Sequence, residues 1–320
     1  MPVRKQLPGL SVPTTATITT SRAPSGQPEI SELFTLADVD PVGRFEGLIV
    51  GVPGSGKTVV ASTFPSPFRW IAADGKTCIK SVRWAYKAGL TSLTDPKNLV
   101  AYTPAEEVKS GHYAENATAF NKMTDMIDYW FSEKDVDNWE GGTLVIDSAS
   151  EVNEWTMNLG LNINGANPTP NKPLSKSHEI NKAAGLKIVS GQQDYKSSMA
   201  LFESWLSDVR KECAKHNRNL LILCHEYEED EAILDGQGNA TGGRRITGVK
   251  PALHGALRDR IPKSMDDVWF MRAYNGRDFK VQLHADSTRQ AKTRWGQVVN
   301  KEEPADYRQI IKKVREFHGL

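Results

Sequence analysis

Gly47-Leu-Ile-Val-Gly-Val-Pro-Gly-Ser-Gly-Lys-Thr58 is the stretch that decides the fold. Leu48–Val50 reads as a short buried strand that runs directly into the spacing G-x-x-x-x-G-K-T, from Gly51 to Thr58. Glycines at 51, 54 and 56 admit backbone conformations closed to other residues, so successive N–H groups can face a polyphosphate. Lys57 adds a mobile ammonium for the β and γ oxygens, and Thr58 offers a hydroxyl to Mg²⁺. A helix starting near Val59 would aim its positive end at the same anion. The expected phosphate-binding residues are Gly51, Val52, Pro53, Gly54, Ser55, Gly56, Lys57, Thr58 and Val59, and the expected cofactors are ATP and Mg²⁺.

Around this loop, bulk composition narrows the class. The 320 residues suffice for one large α/β domain with small appendages, and 39% hydrophobic with 25% charged residues is ordinary for a globular protein. A net charge of +1 gives no global attraction for nucleic acid, so any such surface must be locally clustered. Cys78, Cys213 and Cys224 are far apart, which suggests neither a zinc site nor a disulfide framework. No apolar run approaches the ~20 residues that span a bilayer, so no membrane partner is expected.

Residues 1–30 are rich in Pro, Ser and Thr and read as a disordered tail. Pro2, Pro8, Pro13 and Pro24 would break the amphipathic helix of a transit peptide. Residues 31–44 read as a linker, and residues 45–320 as one domain. Short apolar runs at Leu48–Val50, Phe68–Ala72, Leu99–Tyr102, Thr143–Ile146 and Leu220–Cys224, with helices between, predict a mainly parallel sheet buried on both faces. A polar insert covers 161–190, followed by an amphipathic helix near Gln193–His216. Beyond residue 225 an acidic stretch, Glu226–Glu231, leads into a turn-rich segment up to Arg245. Two strands joined by Asn275-Gly276 predict a C-terminal β-hairpin. A helix near Pro304–Phe317 closes the chain.

Six further residues carry candidate chemistry. Thr143-Leu-Val-Ile-Asp147 places a carboxylate at the end of a buried parallel strand, where it can hold Mg²⁺ together with Thr58. The 90 residues separating Lys57 from Asp147 leave room for an inserted strand, Phe68–Asp74, whose terminal Asp74 is a candidate general base. A turn role for Asp74 before Gly75 is the competing reading, and Glu151 is a second candidate base. His225, ending the last core strand, is a candidate sensor of the γ-phosphate. Lys292 and Arg294, at strand spacing, could instead reach the γ-phosphate held by a neighbouring subunit.

Together these segments resemble the RecA-type ATPase core, and more narrowly the bacteriophage RecA-like proteins that include the Sak-type single-strand annealing ATPases. The resemblance covers residues 45–296. It rests on Gly51–Thr58, Val145-Ile-Asp-Ser148, the strand ending in His225-Glu226, and Lys292-Thr-Arg294. It implies a slow, DNA-dependent ATPase that assembles as a homo-oligomeric ring or filament on single-stranded DNA, in the cytoplasm of a bacterial host. A phage single-strand DNA-binding protein is a further implied partner. Asp74 departs from the glutamate usual in that family, which bears on the efficiency of hydrolysis. Phe34-Thr-Leu-Ala37 matches a known oligomerisation peptide of RecA relatives at two positions. The segments 161–190 and 236–250 fall where RecA-type proteins place DNA-binding loops, which marks Lys172, Lys176, Lys182, Lys187, Arg244, Arg245 and Lys250 as expected DNA contacts. The alternatives are another P-loop motor, such as a helicase or helicase loader, and a nucleotide or small-molecule kinase. A GTPase is disfavoured, because no Asn-Lys-x-Asp motif occurs.

Overall fold

The apolar runs do become strands in a computed structural model of the chain, which describes residues 40–104, 113–166, 192–234, 240–275 and 278–320. In chain order the strands are β1 (Glu46–Val50), β2 (Phe68–Ala72), β3 (Leu99–Tyr102), β4 (Thr143–Asp147), β5 (Asn219–Cys224), β6 (Glu226–Leu234), β7 (Ala240–Pro251), β8 (Asp267–Tyr274), β9 (Asp278–Gln282) and β10 (Glu302–Pro304). The helices are α1 (Lys57–Ala61), α2 (Thr77–Lys87), α3 (Tyr113–Trp130), α4 (Ala149–Ala166), α5 (Gln192–Lys215), α6 (Leu257–Ser264) and α7 (Tyr307–His318). Residues Pro41–Leu320 form one unit. The tail at 1–30, the Phe34–Ala37 peptide and most of the 161–190 insert lie outside the described residues.

One eight-stranded sheet, in the order β10-β9-β8-β1-β5-β4-β2-β3, runs through the middle. The β3, β2, β4, β5, β1 and β8 strands are parallel, and β9 and β10 add antiparallel at one edge. Alternation along each strand sends apolar side chains to two separate cores, because successive side chains point to opposite faces. Along β5, Leu220, Ile222 and Cys224 pack on the side of α3, α4 and α5, whereas Leu221 and Leu223 face the opposite core with Val60, Val82 and Ile310. Every residue of β1, β2, β4 and β5 is buried, as continuous apolar runs require.

Strand register then fixes where chemistry can occur. Val50 pairs with Cys224, Asp147 with Leu223, and Ala72 with Asp147, so β1, β2, β4 and β5 end at one level. The four chain segments leaving those ends converge above the sheet, where ligands of open parallel sheets bind.

Beyond residue 225 the structure departs from the turn-rich expectation. The acidic stretch is β6, and most of the segment expected as a loop is its partner β7. Exposed ion pairs across the ribbon accompany this pairing: Arg244 with Asp230 at 3.0 Å, and Arg245 with Glu231 at 3.8 Å. Lys250 pairs with both Glu229 and Asp259 at 3.0 Å. Pro304, expected to open the last helix, ends β10 instead, and Asp306 caps α7 by accepting the N–H of Arg308.

Candidate nucleotide site

The loop between β1 and α1 is shaped by two glycines in the left-handed region, Gly54 (φ 78°) and Gly56 (φ 89°). A side chain at either position would strain the turn. Gly51 needs its bareness for a different reason. A Cβ there would lie 2.6 Å from Ser55 Oγ and 2.7 Å from Met271 Cβ. The outer side of the turn is open, since a Cβ built on Gly54 meets nothing within 4 Å.

Lys57 is almost fully buried, and its ammonium turns back along the loop to donate to the carbonyls of Gly51 (2.7 Å) and Val52 (3.0 Å). Burial pulls its pKa down, while Asp147, Asp74 and other nearby anions resist that pull. The Thr58 hydroxyl donates to Asp147 Oδ2 at 3.0 Å, across 89 positions of sequence. Asp147 is 2% exposed, and its carboxyl is pushed up to about 6, first by burial and then by the neighbouring Asp74 charge. Two hard oxygen donors at the end of a parallel strand, one of them a carboxylate, suit Mg²⁺. Beside them the Ser55 hydroxyl is buried and has no partner among the described residues, as expected of a cradle built around a polar ligand.

Asp74 and His225 complete the cluster. The Asp74 N–H donates to the Asp147 carbonyl at 3.0 Å, which ties the end of β2 to the end of β4. Its carboxylate accepts from Ser148 Oγ at 2.7 Å and pairs with His225 Nε2 at 3.2 Å. Burial raises the Asp74 pKa, but the hydrogen bonds from His225 and Ser148 outweigh it and leave the group below its ordinary value. The other ring nitrogen, His225 Nδ1, lies 3.5 Å from Lys57 Nζ. The imidazole therefore spans the distance from the loop lysine to the candidate base. Its backbone is held by the Ser150 hydroxyl, which accepts the His225 N–H at 3.0 Å.

Sequence reasoning thus named Lys57, Thr58, Asp74, Asp147 and His225, and the fold brings all five together. Glu151 lies in the first turn of α4, half-buried. Ser148, Ser150 and Cys78 were missed. The Cys78 thiol donates to the Gly75 carbonyl at 3.1 Å, and its pKa is pushed up to about 12 by burial and by Asp147 and Asp74. Serines one and three positions past Asp147 were visible in the sequence, but only the strand register shows that they support Asp74 and His225.

Two groups of expected residues are placed elsewhere. Arg294 does not reach outward as a finger. Its Nε donates to Asp267 Oδ2 at 2.8 Å, and a second guanidinium nitrogen donates to the Arg44 carbonyl at 2.6 Å. Asp267 opens β8 and pairs with Gly47 near the start of β1, so this contact sits at the opposite end of the sheet from the loop. Lys292 bridges to Val268 and donates to the Lys263 carbonyl at 3.1 Å, at that same end. Among the expected DNA contacts, Arg244, Arg245 and Lys250 are tied into the ribbon ion pairs. The described ribbon carries five carboxylates against these three cations, a poor surface for a phosphate backbone. Lys172, Lys176, Lys182 and Lys187 lie outside the described residues.

No protein-family model matches the chain, and no curated protein matches it. Among solved structures it is similar to a prototypical ATPase from the type III secretion system of pathogenic bacteria, with a TM-score of 0.35 and 12% identity. That match covers 72% of this chain and 53% of the other, so this chain spans about half the length of that protein. A likeness of this size says nothing about activity. Among the described residues, no helix is long and apolar enough to cross a membrane.

Proposed function

We propose that the chain is a Mg²⁺-dependent P-loop ATPase that acts on single-stranded DNA as a homo-oligomer, in the annealing or recombination role that its motifs' resemblance implies. One observation carries the nucleotide reading. The Thr58 hydroxyl and the buried Asp147 carboxylate meet at 3.0 Å beside the Lys57 ammonium, at the level where four parallel strands end. DNA, the assembly state and the biological role rest on the resemblance alone.

In this reading Lys57 exchanges its two carbonyl partners for phosphate oxygens, and the loop amides take the remaining anionic oxygens. Thr58 and Asp147 hold Mg²⁺, which supplies charge neutralisation on the phosphates when bound. Asp74 is the general base. His225 and Ser148 fix its carboxylate and keep it ionised, which orients it toward an attacking water but weakens it as a proton acceptor.

The test is binding and turnover of ATP with Mg²⁺, with and without single-stranded DNA. Lys57→Ala should weaken ATP–Mg²⁺ binding about tenfold or more, the worth of charge-assisted hydrogen bonds. Asp147→Asn should remove the Mg²⁺ dependence of binding. Unchanged affinity in Lys57→Ala would overturn the nucleotide site. Phosphate transfer to a small acceptor without DNA stimulation would favour the kinase reading.

A further inference from the structure

The helix α2 follows Asp74 directly and presents a face that nothing above uses. Lys76, Lys80, Arg83 and Lys87 are all exposed, and no acidic residue occurs between Lys76 and Thr94. At 100° per residue these four cations and Trp84 fall within an arc of about 100°, along roughly 16 Å of helix. None of the four cations forms an ion pair or side-chain hydrogen bond among the described residues. This is unlike Lys211, Lys215, Lys312 and Lys313 on other surface helices, which pair with Asp208, Glu212, Glu316 and Glu303. Trp84 is equally unusual. Of the eight tryptophans, seven are at most 6% exposed, whereas Trp84 is 61% exposed along one edge of the cationic stripe.

We propose that this face of α2 is a docking surface for single-stranded nucleic acid, with Lys76, Lys80, Arg83 and Lys87 on phosphates and Trp84 stacked on a base. Charge complementarity selects the occupant, because an unrelieved row of cations with one aromatic plane matches a phosphate backbone bearing unstacked bases. A bilayer surface fits less well. The apolar side of α2, Val82 and Ala85, is already buried in the core, leaving one aromatic residue where a membrane helix needs an apolar face. The inference deepens the DNA reading above and moves its contacts from the β6–β7 ribbon to α2. Since α2 starts beside Asp74, nucleic acid bound there sits next to the hydrolytic cluster.

The experiment titrates the full chain with fluorescent dT30 in a salt series, using fluorescence anisotropy. The variants are Lys80→Ala with Arg83→Ala, Trp84→Ala, and the conservative Trp84→Phe. Removing two phosphate contacts should flatten the slope of log affinity on log salt by about 1.4 and weaken binding about tenfold. Trp84→Ala should weaken binding at least about fivefold, and Trp84→Phe should restore most of it. ATP turnover without DNA should stay at the wild-type value in every variant, since no substituted side chain lies in the nucleotide cluster. If wild type binds dT30 and the variants match it in affinity and slope, the placement on α2 is overturned and the DNA reading survives. If wild type does not bind dT30, both fail and nucleotide binding stands untouched.

Discussion

Asp147 and Asp74 show how one site gives two carboxylates opposite electrostatic fates. Asp147 is enclosed and faces another anion, so its proton is held up to about pH 6, whereas Asp74 is held below its usual value by His225 and Ser148. The consequence for stability has a definite sign. A carboxyl whose folded pKa exceeds its unfolded value binds its proton more tightly in the native state, so stability falls as pH rises between the two values. For Asp147 without metal, that window runs from near pH 4 to about 6. Asp74 acts with the opposite sign, but below about pH 4. Thermal unfolding of the metal-free protein should therefore lose midpoint temperature from pH 4 to 6. Asp147→Asn should reduce that loss without abolishing it, because Asp267, Asp128 and Glu226 are raised as well, and a variant that keeps the same slope would show that Asp147 is not protonated there. Asp147 ends β4 as its sequence suggested, whereas Asp74 lies two residues past the end of β2, in the turn before Gly75 that was the competing reading. Their unequal environments were not legible, because they depend on which side chains the register brings alongside.

At the scale of elements, the buried strands and the β6–β7 ribbon mark the two ends of legibility. Leu48–Val50 and Leu220–Cys224 announce themselves because strands covered on both faces are almost wholly apolar, and Phe68–Ala72 does so despite Arg69, whose buried guanidinium pairs with Asp135. The ribbon hides, because Glu, Asp, Gly and Arg disfavour strands and no core face imposes alternation on them. Its cross-strand ion pairs are exposed and individually worth about 0.2–1 kcal/mol, and a lone two-stranded ribbon is marginal in water. Trypsin should therefore cut at Arg244 or Arg245 before reaching any peptide of the central sheet. That preference, scored against all other cuts, should grow between about 0.05 M and about 1 M salt as screening weakens the pairs. A cleavage pattern insensitive to salt would mean that backbone hydrogen bonds alone hold the ribbon.

Across the whole molecule the sheet separates two regions, with the candidate nucleotide site above its carboxyl ends and structural ion pairs below its amino ends. Lys292 and Arg294 had looked chemical because a Lys-x-Arg pattern carries no information about which end of a sheet it will reach. Asp267 is wholly buried, and Arg294 neutralises it while covering Phe45 at 5.3 Å. Even so, burial keeps the Asp267 pKa raised, which shows how much the aspartate depends on that partner. Truncating one member of a buried pair leaves an uncompensated charge and costs about 3–5 kcal/mol, whereas removing both costs less. Arg294→Ala should thus lower stability to urea by about 3 kcal/mol, and Asp267→Ala combined with Arg294→Ala should recover part of the loss. ATP turnover per folded molecule should remain near wild type at low temperature, with or without DNA. The opposite result, full stability with only DNA-stimulated turnover abolished, would return Arg294 to a neighbour's active site and require the Asp267 pair to open on assembly.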